Sequence, residues 1–87
     1  SVLLENAVYN LLRQKGSVYY YQTKAGAEID FIVKHGKDYF AFEVKSHAHQ
    51  TDVNRLQRLS QKFHVQNYFV VSQAYSPLAN VVYPFQL

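Results

Sequence analysis

Four of the chain's six acidic residues form a spaced series along its first half. They are Glu5, Glu28, Asp30 and Glu43, and Lys45 follows the last of them by two positions. Asp30 and Glu43 interrupt runs of β-branched and aromatic residues that are typical of buried strands. Carboxylates held together in a half-buried place repel one another unless a cation or protons intervene. Because Mg²⁺ takes carboxylate oxygen ligands, the pattern predicts a metal-assisted site that cleaves phosphodiester bonds.

The elements that would position these residues follow the order α-β-β-β-α-β, with one more short strand at the end. Short turns between the first three strands predict an antiparallel meander. The helix before the fourth strand predicts a right-handed crossover to a parallel neighbour. The expected fold class is therefore α/β, an αβββαβ core with a mixed central sheet flanked by helices. The predicted elements are a helix over 2–14, strands over 17–23, 27–34 and 39–45, a helix capped by Thr51 or Asp52, an interior strand over 68–72 and an edge strand over 81–85, which Pro84 interrupts.

Side-chain alternation along the strands predicts which residues share a face of the sheet. Glu43 and Lys45 are two positions apart, so they share a face, and pairing of the second and third strands would bring Asp30 to the same cleft. Glu5 lies at the edge of the first helix's apolar stripe, at the boundary of the core. On the second strand, one face is expected to carry Ile29, Phe31 and Val33, and the other Glu28, Asp30 and Ile32. On the third strand, one face is expected to carry Phe40, Phe42 and Val44, and the other Tyr39, Ala41, Glu43 and Lys45.

The composition is that of one small folded domain. Its 87 residues are 48% apolar and include eight Tyr and six Phe, which excludes a disordered chain. We see no apolar run of the roughly 18 residues that a membrane span needs. The absence of Cys excludes disulfides and thiolate metal sites and favours a reducing, cytoplasmic setting. A net charge of +3 permits binding to nucleic acid without requiring it.

Three segments carry a resemblance to a known family. Leu4-Glu5-Asn6, Glu28-Ile29-Asp30-Phe31 and Phe42-Glu43-Val44-Lys45-Ser46, in this order on an αβββαβ core, resemble the PD-(D/E)XK nuclease superfamily. More narrowly, they resemble a nuclease-like domain of unknown function that follows the ATPase module in many prokaryotic AAA+-type ATPases. The resemblance covers nearly the whole chain. The chain departs from the superfamily pattern in having Ile29, and no Pro, before Asp30.

The resemblance implies a role for each matched residue. Asp30 and Glu43 would bind Mg²⁺ or Mn²⁺, Glu5 would support the same metal, and Lys45 would orient or deprotonate the attacking water. It also implies a single domain over 1–87, DNA as the substrate and an amino-terminal ATPase module as partner, and it allows a homodimer. The absence of Met and a helix that begins almost at the first residue both favour a fragment of a longer protein.

Several alternatives stay open on the sequence alone. The nuclease fold is implied more firmly than its activity, so the chain could be an inactive module that binds DNA or a protein. Glu43 and Lys45 could form an ion pair on a solvated sheet. The tyrosine run at 19–21 could stack the bases of single-stranded RNA, although core and rim packing explains it as well.

The remaining candidates are basic residues and histidines near the proposed site. His47 and His49 could bind a transition metal or could be loop residues, with His47 at a phosphate. Arg55 and Arg58 form, with Lys62, a basic stripe on the second helix that could contact a phosphate backbone or could simply be solvated.

Overall fold

The computed structural model describes residues 2–22, 24–26 and 28–87, and its elements follow the predicted order. Thr23 and Ala27, two of the predicted strand ends, lie outside the described residues. The other bounds either coincide with the predictions or differ from them by at most three residues. The elements are α1 (Val2–Leu12), β1 (Ser17–Gln22), β2 (Glu28–His35), β3 (Asp38–Lys45), α2 (Gln50–Lys62), β4 (Asn67–Ser72), β5 (Val81–Val82) and a 3₁₀ turn (Pro84–Gln86).

The strands form one mixed sheet in the spatial order β1-β2-β3-β4-β5. The first three pair antiparallel through tight turns, and β4 and β5 add to the sheet in parallel. This confirms the α/β class, the meander and the interior parallel strand. β5 is shorter than predicted because the chain leaves the sheet at Pro84, which has no N–H to donate to a ladder.

The two helices cover opposite faces of the sheet. Val8 and Leu12 of α1 pack against Phe31 and Phe42 in one apolar cluster. Val53 and Leu56 of α2 belong to a second cluster, with Ile32, Ala41 and Val70 on the other face. Each fully buried aliphatic side chain of this size stabilises the fold by roughly 1.5–3 kcal/mol. We call the second side of the sheet the α2 face. Within the described part of the chain, no helix has both the length and the apolar character that a membrane crossing requires.

A β-bulge in β2 changes the predicted faces. Tyr19 pairs with Ile32 and Tyr21 with Ile29, so β2 carries one residue more than β1 across this stretch. Ile29 consequently lies on the α2 face, while Phe31 lies on the α1 side. The prediction that Ile29, Phe31 and Val33 share a face was wrong for Ile29, because strict alternation fails across a bulge.

The start of α2 also differs from the prediction. His49 occupies the N-cap position, and its backbone N–H donates to Asp52 Oδ2 at 2.9 Å. Asp52 thus lies inside the first turn, where its negative charge interacts favourably with the helix dipole. Neither Thr51 nor Asp52 is the N-cap, but Asp52 still supplies the side-chain acceptor for the start of the helix.

Candidate active site

Asp30 lies at the bulge of β2, where main-chain pairing with β3 ends. The last paired residues are Phe31 and Phe42. Beyond them, the Val44 backbone N–H donates to Asp30 Oδ2 at 2.9 Å. A carboxylate therefore takes the place of a main-chain acceptor at this point of the ladder. Since a hydrogen bond from a buried amide fixes a carboxylate in one orientation, Asp30 is held half-buried at the edge of the sheet.

Glu43 is a buried carboxylate on the α2 face of β3. Its side chain is 9% exposed. Oε1 lies 3.5 Å from Arg55 Nη1, and Oε2 has no hydrogen-bond partner among the described residues. Burial raises the pKa of the Glu43 carboxyl from 4.5 to about 7, and the neighbouring Asp30 charge adds to the shift while Arg55 and Lys45 oppose it. A buried oxygen without a partner costs about 1–3 kcal/mol, so this site is built at the expense of stability.

Arg55 connects α2 to the acidic strands. Its Nη1 faces Glu43, and its Nη2 donates to the Glu28 carbonyl oxygen at 3.1 Å. The sequence predicted this arginine as a phosphate contact or a solvated residue. In the structure it is an internal partner of the site, with a side chain that is 41% exposed.

Lys45 lies at the end of β3, two residues beyond Glu43. Its Nζ is 3.8 Å from Asp52 Oδ1, and its side chain is 41% exposed. The described ion pairs therefore join Lys45 to Asp52 and Glu43 to Arg55. A Glu43–Lys45 pair on a solvated sheet, the alternative considered from the sequence, is not the arrangement adopted.

Glu5 approaches the site from the other helix. It lines a cavity of about 340 Å³ together with Glu28 and Asp30. Its side chain is exposed. Among the described residues, no group of three His, Cys, Asp or Glu side chains is close enough to hold a metal ion. The structure thus brings Asp30 and Glu43 together as a pair, and the supporting role of Glu5 stays a prediction.

The other predicted residues lie just before α2, at its N-cap and along it. His49 caps the helix and has its Nδ1 3.4 Å from Asp52 Oδ2. His47 is exposed, as is Arg58. His47 and His49 do not join an acidic residue in a metal-holding group within the described ranges, so the loop interpretation of the two histidines fits better than a transition-metal site.

One family model matches the chain over residues 2–85, and its description is "Domain of unknown function (DUF4143)". The chain belongs to the DUF4143 family. No curated protein matches it, and no solved structure does.

The sequence predicted the acidic residues of the candidate site in this DUF4143 domain, but not that basic residues pair with them. Arg55 directly precedes Leu56, which is part of the buried stripe of α2, so its Cβ lies at the border of the α2 face. A helix that follows β3 must cover the face carrying Ala41 and Glu43. Arg55 lies beside the buried stripe of α2, and this position was the signal in the sequence that could have predicted its ion pair with Glu43.

Proposed function

We propose that this domain is a metal-dependent DNA nuclease of the PD-(D/E)XK type that hydrolyses phosphodiester bonds. The observation that supports this best is Glu43, a buried carboxylate beside Asp30 whose Oε2 has no partner among the described residues. A fold that keeps such a group loses stability unless something completes its coordination. A divalent cation would do so, and the same place would receive a phosphate.

The donors present fit Mg²⁺ or Mn²⁺. Mg²⁺ is commonly bound by one or two carboxylates, with waters and substrate phosphates at the remaining positions. Asp30 and Glu43 would supply that number, and Glu5, which lines one cavity with Asp30, would add a water-mediated contact. A bound cation polarises the scissile phosphate and lowers the pKa of a bound water.

The chain's own residues would divide the remaining work. Asp30 is oriented by the Val44 N–H and so presents its second oxygen in a fixed direction. Lys45 is partly exposed, and its 3.8 Å contact with Asp52 is long enough to be exchanged for a phosphate oxygen or the attacking water. Its positive charge would stabilise the charge that develops on the phosphate.

Arg55 would change partners when the cation binds. Without a cation its guanidinium offsets the charge of Glu43. Once a cation does so, the guanidinium is released to contact a phosphate of the DNA, for which its planar donor group is well suited. Arg58 and His47 extend the same basic surface towards solvent. We further propose that the domain acts in the cytoplasm together with an ATPase module.

A second candidate function is favoured by the same ion pairs. Arg55 already neutralises Glu43, Lys45 is paired with Asp52, and no three-ligand group is found among the described residues. A domain in this state could serve its ATPase as a non-catalytic module that binds DNA or a protein. It would keep the fold without performing hydrolysis.

Cleavage of supercoiled plasmid DNA tests the proposal. We expect nicking in Mg²⁺ or Mn²⁺ that stops in chelator and is lost in Asp30→Asn and in Lys45→Met. Lys37→Met is the matched control, because this exposed lysine lies in the turn at the opposite end of the β2–β3 pair. Lys45→Met should retain metal binding by calorimetry, since the lysine acts on water and phosphate. Full activity in Lys45→Met would overturn this assignment, and inactivity of the wild type in both metals would favour the non-catalytic module.

A further inference from the structure

The α2 face is only partly covered, and the uncovered part is a groove of tyrosines. It has a volume of about 510 Å³ and runs between β1 and the end of α2. We call it the tyrosine groove. It is lined by Tyr19, Tyr20, Tyr21, Tyr39, Ile32, Phe63, His64 and Val65.

The strand register places three tyrosines on this one face. Tyr19 pairs with Ile32, which lies in the α2-face cluster, and Tyr39 lies two residues before Ala41 of the same cluster. Tyr21 packs against Phe63, and the two tilted rings have centroids 4.0 Å apart. Tyr20 points the other way, towards Phe31. Tyr19, Tyr21 and Tyr39 remain 51%, 41% and 42% exposed, so the protein covers each of them only in part.

A lysine contacts one tyrosine of the groove, and α2 carries a row of basic residues. Lys34 Nζ lies 5.9 Å above the Tyr39 ring. On α2, Arg55 reaches Glu28 at the end of β2, and helical spacing places Arg58 and Lys62 on the same side of the helix as Arg55. Exposed aromatic rings flanked by cations complement a strand of nucleic acid, in which apolar bases alternate with phosphates.

The groove and the cavity beside Asp30 share lining residues. The cavity that Glu5, Glu28 and Asp30 line is bounded by Tyr21 as well, and Tyr21 is part of the tyrosine groove. Residues two apart on a strand are separated by roughly 7 Å, so Tyr19 and Tyr21 form a short row that leads towards Asp30.

We propose that the tyrosine groove binds unpaired bases of single-stranded DNA by stacking and directs that strand to Asp30 and Glu43. This inference rests on the proposed function and names its substrate class: single-stranded DNA or the unpaired end of a duplex. Lys34, Arg58 and Lys62 contact the phosphates between the stacked bases. A base pair inside a duplex cannot present its faces to the rings, so an intact duplex gains nothing from the tyrosines.

The test is fluorescence anisotropy of a labelled 12-nucleotide oligothymidine and of a blunt duplex with the 87-residue chain, in chelator so that no cleavage occurs. Base–aromatic stacking contributes about 1–3 kcal/mol per base. We therefore expect Tyr19→Leu and Tyr39→Leu each to weaken single-strand binding roughly 5- to 150-fold and duplex binding less than about twofold. Leucine keeps these half-exposed positions apolar, and thermal melting verifies that the variants are folded.

Tyr75→Leu is the matched control, because Tyr75 is 83% exposed and stacks on Tyr83, outside the groove. It should bind oligothymidine like the wild type. Unchanged single-strand affinity in both groove variants, equal losses for single strand and duplex, or no oligothymidine binding by the wild type would each overturn the inference. The last outcome would assign the groove to a protein partner. Because binding is measured in chelator, where no cleavage occurs, failure of the cleavage proposal is separable from failure of this one.

Discussion

The protein around Glu43 disfavours the ionised form of its carboxyl group. Its side chain is buried, a second carboxylate lies beside it, and the arginine opposite engages one of its two oxygens. An acid in such a place favours its protonated form in the folded state, whereas in the unfolded chain it titrates near its ordinary value. The folded domain therefore binds a proton more tightly than the unfolded chain does.

The sign of the resulting pH dependence follows from that difference. The pKa of Glu43 is raised from 4.5 to about 7, so the unfolding free energy falls as the pH rises through this range. Glu43→Gln cannot lose a proton, so it should escape this loss. We expect the variant and the wild type to be nearly equal at pH 4, and the variant to be more stable by roughly 1–3 kcal/mol at pH 8. Chemical denaturation at a series of pH values measures the difference.

A variant that is less stable than the wild type at pH 8 would contradict the prediction. It would mean that the ion pair with Arg55 outweighs burial and the repulsion from Asp30. Glu28→Gln is a suitable control, because this exposed glutamate contacts Arg55 through its main-chain carbonyl and not its carboxylate.

Among the elements, α2 depends on Asp52 for its start and for the position of Lys45. Asp52 accepts a hydrogen bond from the His49 N–H and pairs with Lys45. Loss of a helix-capping interaction costs about 0.5–2 kcal/mol, and an exposed ion pair contributes about 0–1 kcal/mol. We therefore expect Asp52→Ala to destabilise the domain by about 1–2 kcal/mol. Asp52→Asn should cost only a few tenths, because its amide oxygen still accepts the same hydrogen bond.

Thermal melting of the two variants separates the cap from the charge. Equal destabilisation by alanine and asparagine would mean that the ion pair with Lys45, and not the cap, carries the effect. In the asparagine variant Lys45 should lose its ion pair, an effect best measured at low ionic strength, while the hydrogen bond that begins α2 is unaffected.

The elements themselves could be predicted because their side-chain periods are strong. Val53, Leu56 and the alternation through Phe40, Phe42 and Val44 specify a helix and a half-buried strand without reference to the rest of the chain. The bulge at Asp30 could not be predicted in this way, because it depends on how β1 and β2 pair. The bases of the site were missed for a related reason. The contact between Arg55 and Glu43 joins residues that are brought together only by the packing of α2 on the sheet.

At the scale of the whole molecule, the proposed metal binding would be coupled to folding. A ligand that binds only the folded state stabilises it by about 2.7 kcal/mol at 100 times its dissociation constant. For a domain of this size that is more than about 10 °C in melting temperature. We expect saturating Mg²⁺ or Mn²⁺ to raise the melting temperature of the wild type by this order, and that of Glu43→Gln by little.

A monovalent salt at equal ionic strength serves as the control for charge screening, and Ca²⁺, which also binds carboxylates, tests selectivity among divalent cations. Because Glu43→Gln should be the more stable protein in chelator, metal is expected to reverse the ranking of the two. If neither protein responds to metal while Glu43→Gln melts lower, the acidic pair is not a cation site.

The extra residue in β2 has an evolutionary consequence. Between Ile29 and Ile32 the strand carries one position more than β1 needs, and Asp30 lies at that position. Deleting the codon for Asp30 would allow β1 and β2 to pair without interruption, with Ile29 still on the α2 face. Such an in-frame deletion would leave a domain of the same architecture with no acidic pair. Such a deletion would remove the acidic pair in a single step while the fold is kept.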